Sequence, residues 1–120
     1  MYTNEDKKQI LTNFLEVVQT ISDKEYQERV WIRGEGAEVD DFDETSCHFF
    51  DDGDPILKKY KEYKITRTQY ILLIQLRTAF ETFIEKSSTY DPIKFIETKE
   101  WENIRTLAKK VLFSFNLNKT

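Results

Sequence analysis

Sulfur and imidazole are nearly absent from this chain, which holds one cysteine, Cys47, and one histidine, His48, side by side. A lone cysteine excludes an internal disulfide, and the pair cannot complete a structural Cys/His zinc site. A reducing compartment is the simpler setting for such a sequence. Long apolar runs are missing as well. No stretch of about 18 apolar residues occurs, which argues against a membrane span. The opening MYTNEDKKQIL lacks the apolar core of a secretory signal. The expectation is a soluble, cytoplasmic protein with no membrane partner. Glycine is scarce and unevenly placed: Gly34, Gly36 and Gly53, the only three, fall in or beside one segment.

What is present suits one small domain over residues 1–120. At this length folding buries roughly two-thirds of the surface of the unfolded chain. Hydrophobic residues make up 39% and charged residues 33%, yet nine Phe, six Tyr and two Trp supply large apolar areas for a core. The net charge of −4 conceals a division. Residues 35–54 carry nine acids and no Lys or Arg, so the other 100 residues carry 13 acids against 18 bases. A mildly basic frame holds an acidic, glycine-punctuated insert.

Periodicity predicts a helical bundle. Ile10, Leu11, Phe14, Leu15, Val18 and Ile21 share one face of a helix over about 4–21, capped by Thr3 or Asn4. Ser22 and Glu25 have capping-box spacing, so a second short helix or turn is expected from Asp23. Residues 30–33, Val-Trp-Ile-Arg, favour an extended conformation. They form either a short strand, with Cys47–Phe50 as its best partner, or the end of the helix begun near Asp23. Asp54-Pro55 reads as a helix start running through about Tyr63. Thr66 and Gln69 form a capping box for a helix over 67–86, with Leu72, Leu73, Leu76, Ala79, Phe80, Phe83 and Ile84 on one face and Tyr70, Ile71 and Ile74 widening it. This helix is expected to be the central one. Asp91-Pro92 opens a further turn, and Thr98 caps a last helix carrying Trp101, Ile104, Leu107, Ala108, Val111, Leu112 and Phe115. The fold class is therefore mainly α: a single-domain bundle of four to six helices with an acidic loop and at most a small β-hairpin.

The acidic stretch EGAEVDDFDETSCHFFDDGD is where the sequence exceeds the needs of folding. Its plain reading is a solvated loop with helix-capping acids. The sharper reading notes that acids alternate with Val39, Phe42, Phe49 and Phe50. Rings can anchor a segment while carboxylates steer encounter with Lys or Arg of a partner. Glu38, Asp40, Asp41, Asp43, Glu44, Asp51 and Asp52 are the candidate cation-facing groups, with Phe42 as a candidate ring anchor. Arg33 is placed to fold back onto Asp40 or Asp43. An EF-hand reading fails, because aligning Gly53 with the loop glycine puts Phe50 and His48 where oxygen ligands belong.

Catalysis gets little support. Cys47 and His48 point to opposite faces of an extended segment and do not pair as nucleophile and base; a buried structural cysteine is the better reading. Gly34-Glu35-Gly36 lacks the third glycine of a nucleotide loop, and its acid would repel phosphate. The acidic surface would meet a nucleic-acid backbone with the wrong sign. Trp31 and Trp101 read as core. No cofactor is expected.

The segment from Val30-Trp31-Ile32-Arg33-Gly34 through Asp40-Asp41-Phe42-Asp43-Glu44 to Phe49-Phe50-Asp51-Asp52-Gly53-Asp54 resembles small acidic immunity proteins encoded beside bacterial contact-dependent growth inhibition and related polymorphic toxins. It covers about a fifth of the chain. The resemblance implies a role and no particular architecture: a non-catalytic inhibitor whose partner is a toxin C-terminal domain, often a nuclease with a basic cleft, occupied by the acidic stretch. A metal-dependent hydrolase using clustered carboxylates, or a generic interaction adaptor, are the alternatives. On the inhibitor reading, reversing Asp40, Asp41 and Asp43 should abolish binding and leave the fold intact.

Overall fold

The computed structural model describes residues 2–36 and 40–117. Helix α1, Asn4–Ser22, starts where the sequence placed it. Thr3 accepts from the Asp6 amide at 3.1 Å and Asp6 accepts from the Thr3 amide at 3.0 Å, a reciprocal box that satisfies two orphan donors. Phe14, Leu15, Val18 and Ile21 form its buried face. The next start is capped by Asp23, which accepts from Tyr26 N at 3.0 Å; the Ser22 hydroxyl is instead held by the carbonyl of Gln19.

Helix α2, Lys24–Tyr26, runs directly into a wide π-type turn, Gln27–Ile32. Residues 30–32 are therefore helical with Arg33 as their C-cap, and the strand alternative is overturned. The reason lies in side-chain direction. In a strand Val30 and Trp31 would face opposite sides, whereas the helical turn sends Gln27, Val30 and Trp31 into the core together. Gly34 and Gly36, at φ of 64° and 98°, end the segment in backbone that other residues rarely adopt.

Helix α3, Phe42–Lys58, is the main departure from expectation. Cys47–Phe50 lies within it, so no hairpin forms, and among the described residues there is no strand. Asp54-Pro55 does not open a helix, because Pro55 sits inside this one. Phe42, Phe49 and Ile56 recur at two-turn spacing, and only a continuous helix turns all three to one core. Pro55 leaves the Asp51 carbonyl without its helix donor, but both residues are exposed and water can serve that oxygen. Gly53 is a close approach instead of a break. A Cβ there would lie 2.7 Å from Phe14 Cε1 and 3.0 Å from Cζ. Alanine gains about 1 kcal/mol of helix propensity over glycine, but overpacking a fixed core ring costs about 1–3 kcal/mol. Gly53→Ala is therefore expected to lower stability, as read by denaturant unfolding; a stabilised variant would show that Phe14 has room to move.

A 3₁₀ turn, Tyr60–Tyr63, and Lys64 in left-handed backbone lead to helix α4, Arg67–Lys86. Its Thr66–Gln69 capping box forms as the sequence indicated. Asp91 caps helix α5, Pro92–Phe95, and Thr98 caps helix α6, Lys99–Ser114. Packing places α1 and α6, and not α4, at the centre: they lie against each other, with α4 on α6 and α3 on α1, and α3 touches α4 more lightly. Helix α4 still buries Leu73, Leu76, Phe80 and Phe83, but Ile71 is turned outward, 44% exposed.

Two features tie these helices together. Phe42 sits among six rings, those of Trp31, Phe80, Phe83, Tyr90, Phe95 and Trp101, at centroid distances of 4.8–6.1 Å. Gln27, fully buried, donates to the Thr20 and Ile21 carbonyls at 2.9 and 2.8 Å and accepts from Trp101 Nε1 at 2.9 Å. One side chain thereby closes the carboxyl end of α1 and binds it to α6. Trp31 and Trp101 are both core residues, as the sequence suggested.

Candidate functional site

Folding sorts the acids of residues 35–54 into those that hold the structure and those left outward. Asp40 belongs to the first group. Its carboxylate accepts from Tyr26 Oη at 2.8 Å, Trp31 Nε1 at 3.2 Å and Thr45 Oγ1 at 3.0 Å, joining the 24–32 segment to the first turn of α3. Asp41 is the N-cap of α3 and accepts from Glu44 N at 2.7 Å, while Asp43 and Glu44 lie in the first turn, at the positive end of the helix dipole. Glu35 pairs with Arg33 at 2.9 Å, so Arg33 does not reach Asp40 or Asp43 as expected; a near neighbour in sequence wins. Asp54 holds Arg77 of α4 through two hydrogen bonds, at 2.7 and 3.1 Å. The Arg77 guanidinium also lies over the Phe50 ring. Its pKa is raised above the ordinary value, first by the hydrogen bonding it donates to Asp54. Glu38 lies outside the described residues.

The outward group has as many acids, four. Asp43, Glu44, Cys47, His48 and Asp51 occupy the exposed face of α3, and Asp52, half-buried, flanks it. Asp43 and Asp51 are two turns apart, about 12 Å along the axis. Among the described residues Asp43, Asp51 and Asp52 take part in no ion pair, and Glu44 faces only His48, at 3.8 Å. Beneath this face Phe42, Phe49 and Ile56 fix the helix to the core. Phe42 itself is 3% exposed, so its ring is not available as a surface anchor. The hydrophobic reward for filling the ring cluster draws it inward, where stacking adds about 0.5–1.5 kcal/mol per pair. Cys47 is exposed and not a buried structural cysteine: its position in α3 points away from the core.

A shallow groove of about 250 Å³ runs between α1 and α3, and Asp40, Glu44 and His48 border it together with Glu16 and Asn13 of α1. Glu16 thus adds a carboxylate that the sequence did not single out. It lies on the solvent face of an amphipathic helix, and only the packing of α3 against α1 brings it beside Glu44. Among the described residues no cluster of three or more His, Cys, Asp or Glu side chains is arranged to hold a metal ion. No helix of these residues is long and apolar enough to cross a membrane. The arrangement offers fixed negative charge on a rigid helix and an exposed thiol without a base positioned to activate it. Comparison with known protein families, curated proteins and solved structures finds no match.

Proposed function

We propose that this protein is a non-catalytic inhibitor that sets the outward face of α3 against a basic cleft of a partner protein, in the manner of immunity proteins that block a cognate toxin domain, a nuclease being the fitting class. One observation carries the reading: once Asp40, Asp41 and Asp54 are committed to the fold, Asp43, Glu44, Asp51 and Asp52 remain on one pinned helix without a Lys or Arg neighbour in an ion pair. Like charges held together in this way raise the energy of the free protein slightly and gain most when cations of a partner approach. Because α3 is anchored by its buried rings, little further ordering is needed on binding. The contact surface is a helix face and the adjoining groove, with no aromatic anchor from Phe42.

The test uses charge reversal at positions outside the hydrogen bonds and ion pairs of the fold. Asp43→Lys with Asp51→Lys should lower the melting temperature only modestly, because both side chains are exposed and unpaired and only Asp43 gives up a helix-end contribution, about 0.3–1 kcal/mol. Against a basic toxin domain encoded beside this chain, the same variant should lose protection in a co-expression survival assay, since like charges across an interface cost several kcal/mol. Wild-type association should slow steeply with added salt, as exposed charges act only within about 10 Å at 0.1 M ionic strength. Full protection by the double reversal, together with salt-insensitive association, would sink the proposal.

A further inference from the structure

A second surface, sharing no residue with the acidic face, has the opposite character. The amino end of α4 and the carboxyl end of α6 border a groove of about 710 Å³ whose lining includes Leu72, Lys109, Lys110 and Phe113. Phe113 is 67% exposed, the most exposed large hydrophobic side chain among the described residues. No carboxylate lines the groove among those residues, and Lys109 and Lys110 take part in no ion pair. The first turn of α4 borders it with no acid, and because the carboxyl end of α6 beside it offsets the positive helix end, the groove's positive charge is that of the lysines. Gln69 also borders a neighbouring hollow of mixed charge, where Lys8 and Lys64 stand beside Glu5 and the Lys7–Glu62 pair, so the basic region is confined to this groove.

We infer that this groove docks an acidic amphipathic segment of a partner protein, seating an apolar side chain between Leu72 and Phe113 and setting carboxylates against Lys109 and Lys110. The inference does not rest on the acidic-face reading. Charge complementarity selects an acidic occupant, and the apolar floor selects one that also carries a hydrophobic side chain. A second copy of this chain fits poorly: its outward acidic face presents Cys47 and His48 between the carboxylates, and its rings are turned inward. A single-stranded nucleic acid fits poorly as well, because it would find one exposed ring instead of a succession on which bases stack.

The experiment titrates the full chain with a fluorescein-labelled peptide of about four helical turns, in which Leu and Phe recur at helical spacing among glutamates. A control peptide has serine at the apolar positions, and an oligo-dT strand serves as a second control. Amide shifts should centre on Leu72 and Phe113. Phe113→Ser should weaken peptide binding by about tenfold. Lys109→Glu with Lys110→Glu should weaken it comparably and flatten its salt dependence, with stability unchanged in both variants. The inference is overturned if the peptide shifts no amide in the groove, if the serine control binds as tightly, or if Phe113→Ser binds like the wild type. It is overturned equally if oligo-dT is preferred, or if the chain dimerises through Phe113 in sedimentation.

Discussion

Gln27→Leu is expected to destabilise the protein by about 3 kcal/mol, out of a total that for a domain of this size is about 5–15 kcal/mol. Leucine matches glutamine in bulk and gains on burial, so a purely hydrophobic accounting would score the change as favourable. Hydrogen bonding decides otherwise. The substitution strips the buried Ile21 carbonyl of its donor and the buried Trp101 indole of its acceptor, while the half-buried Thr20 carbonyl keeps the Asp23 amide. Each polar group buried without a partner costs about 1–3 kcal/mol, and two such groups outweigh one leucine. Urea unfolding followed by tryptophan fluorescence should show a midpoint lower by about 1–2 M, given the usual slope for small proteins. An unchanged midpoint would mean that water reaches the joint and that Gln27 is not what closes α1.

Phe42→Ala should cost about 3–5 kcal/mol, the range for removing a buried ring. The figure belongs at the upper end, because six rings lose a neighbour and surround a cavity too rigid to collapse. The outcome also separates two roles for this residue. A surface anchor would lose binding and keep its stability; a core residue loses stability first. A variant with wild-type unfolding and reduced partner binding would restore Phe42 to the interface and contradict its placement in the core.

Local chemistry was legible in the sequence wherever the signal and its consequence lie within one turn. Thr3, Thr66, Asp91 and Thr98 cap the helices they precede because a cap needs only a side-chain oxygen and an amide two or three residues on. Helix α3 was hidden because its local signals point the wrong way. Gly53 and Pro55 both read as breaks, and the forces that override them come from Phe14, which fills the space a Cβ would need, and from the shared core of Phe42, Phe49 and Ile56. The candidate site divides similarly. Its acidic character was plain, but the division of its acids into structural and outward groups was not, since Asp40 finds Tyr26 and Trp31 only through tertiary packing. Asp40→Lys or Asp41→Lys therefore disturbs the fold, and a reversal that includes them cannot report on binding alone.

The packing of α1 against α6 also sets a clock on biosynthesis. Roughly 80 residues separate the two helices along the chain, and at ribosomal rates of about 5–20 residues per second α1 emerges some 4–16 s before its main partner. Throughout that interval Phe14, Leu15, Val18 and Ile21 lack the surface that covers them in the finished protein. Gln27 meanwhile lacks the Trp101 indole that completes its hydrogen bonds. Helix α3 reaches the exit tunnel earlier and can shelter part of that stripe, with Gly53 settling over Phe14. Of the two helices that pack most on α1, only α3 is there to cover it until α6 emerges.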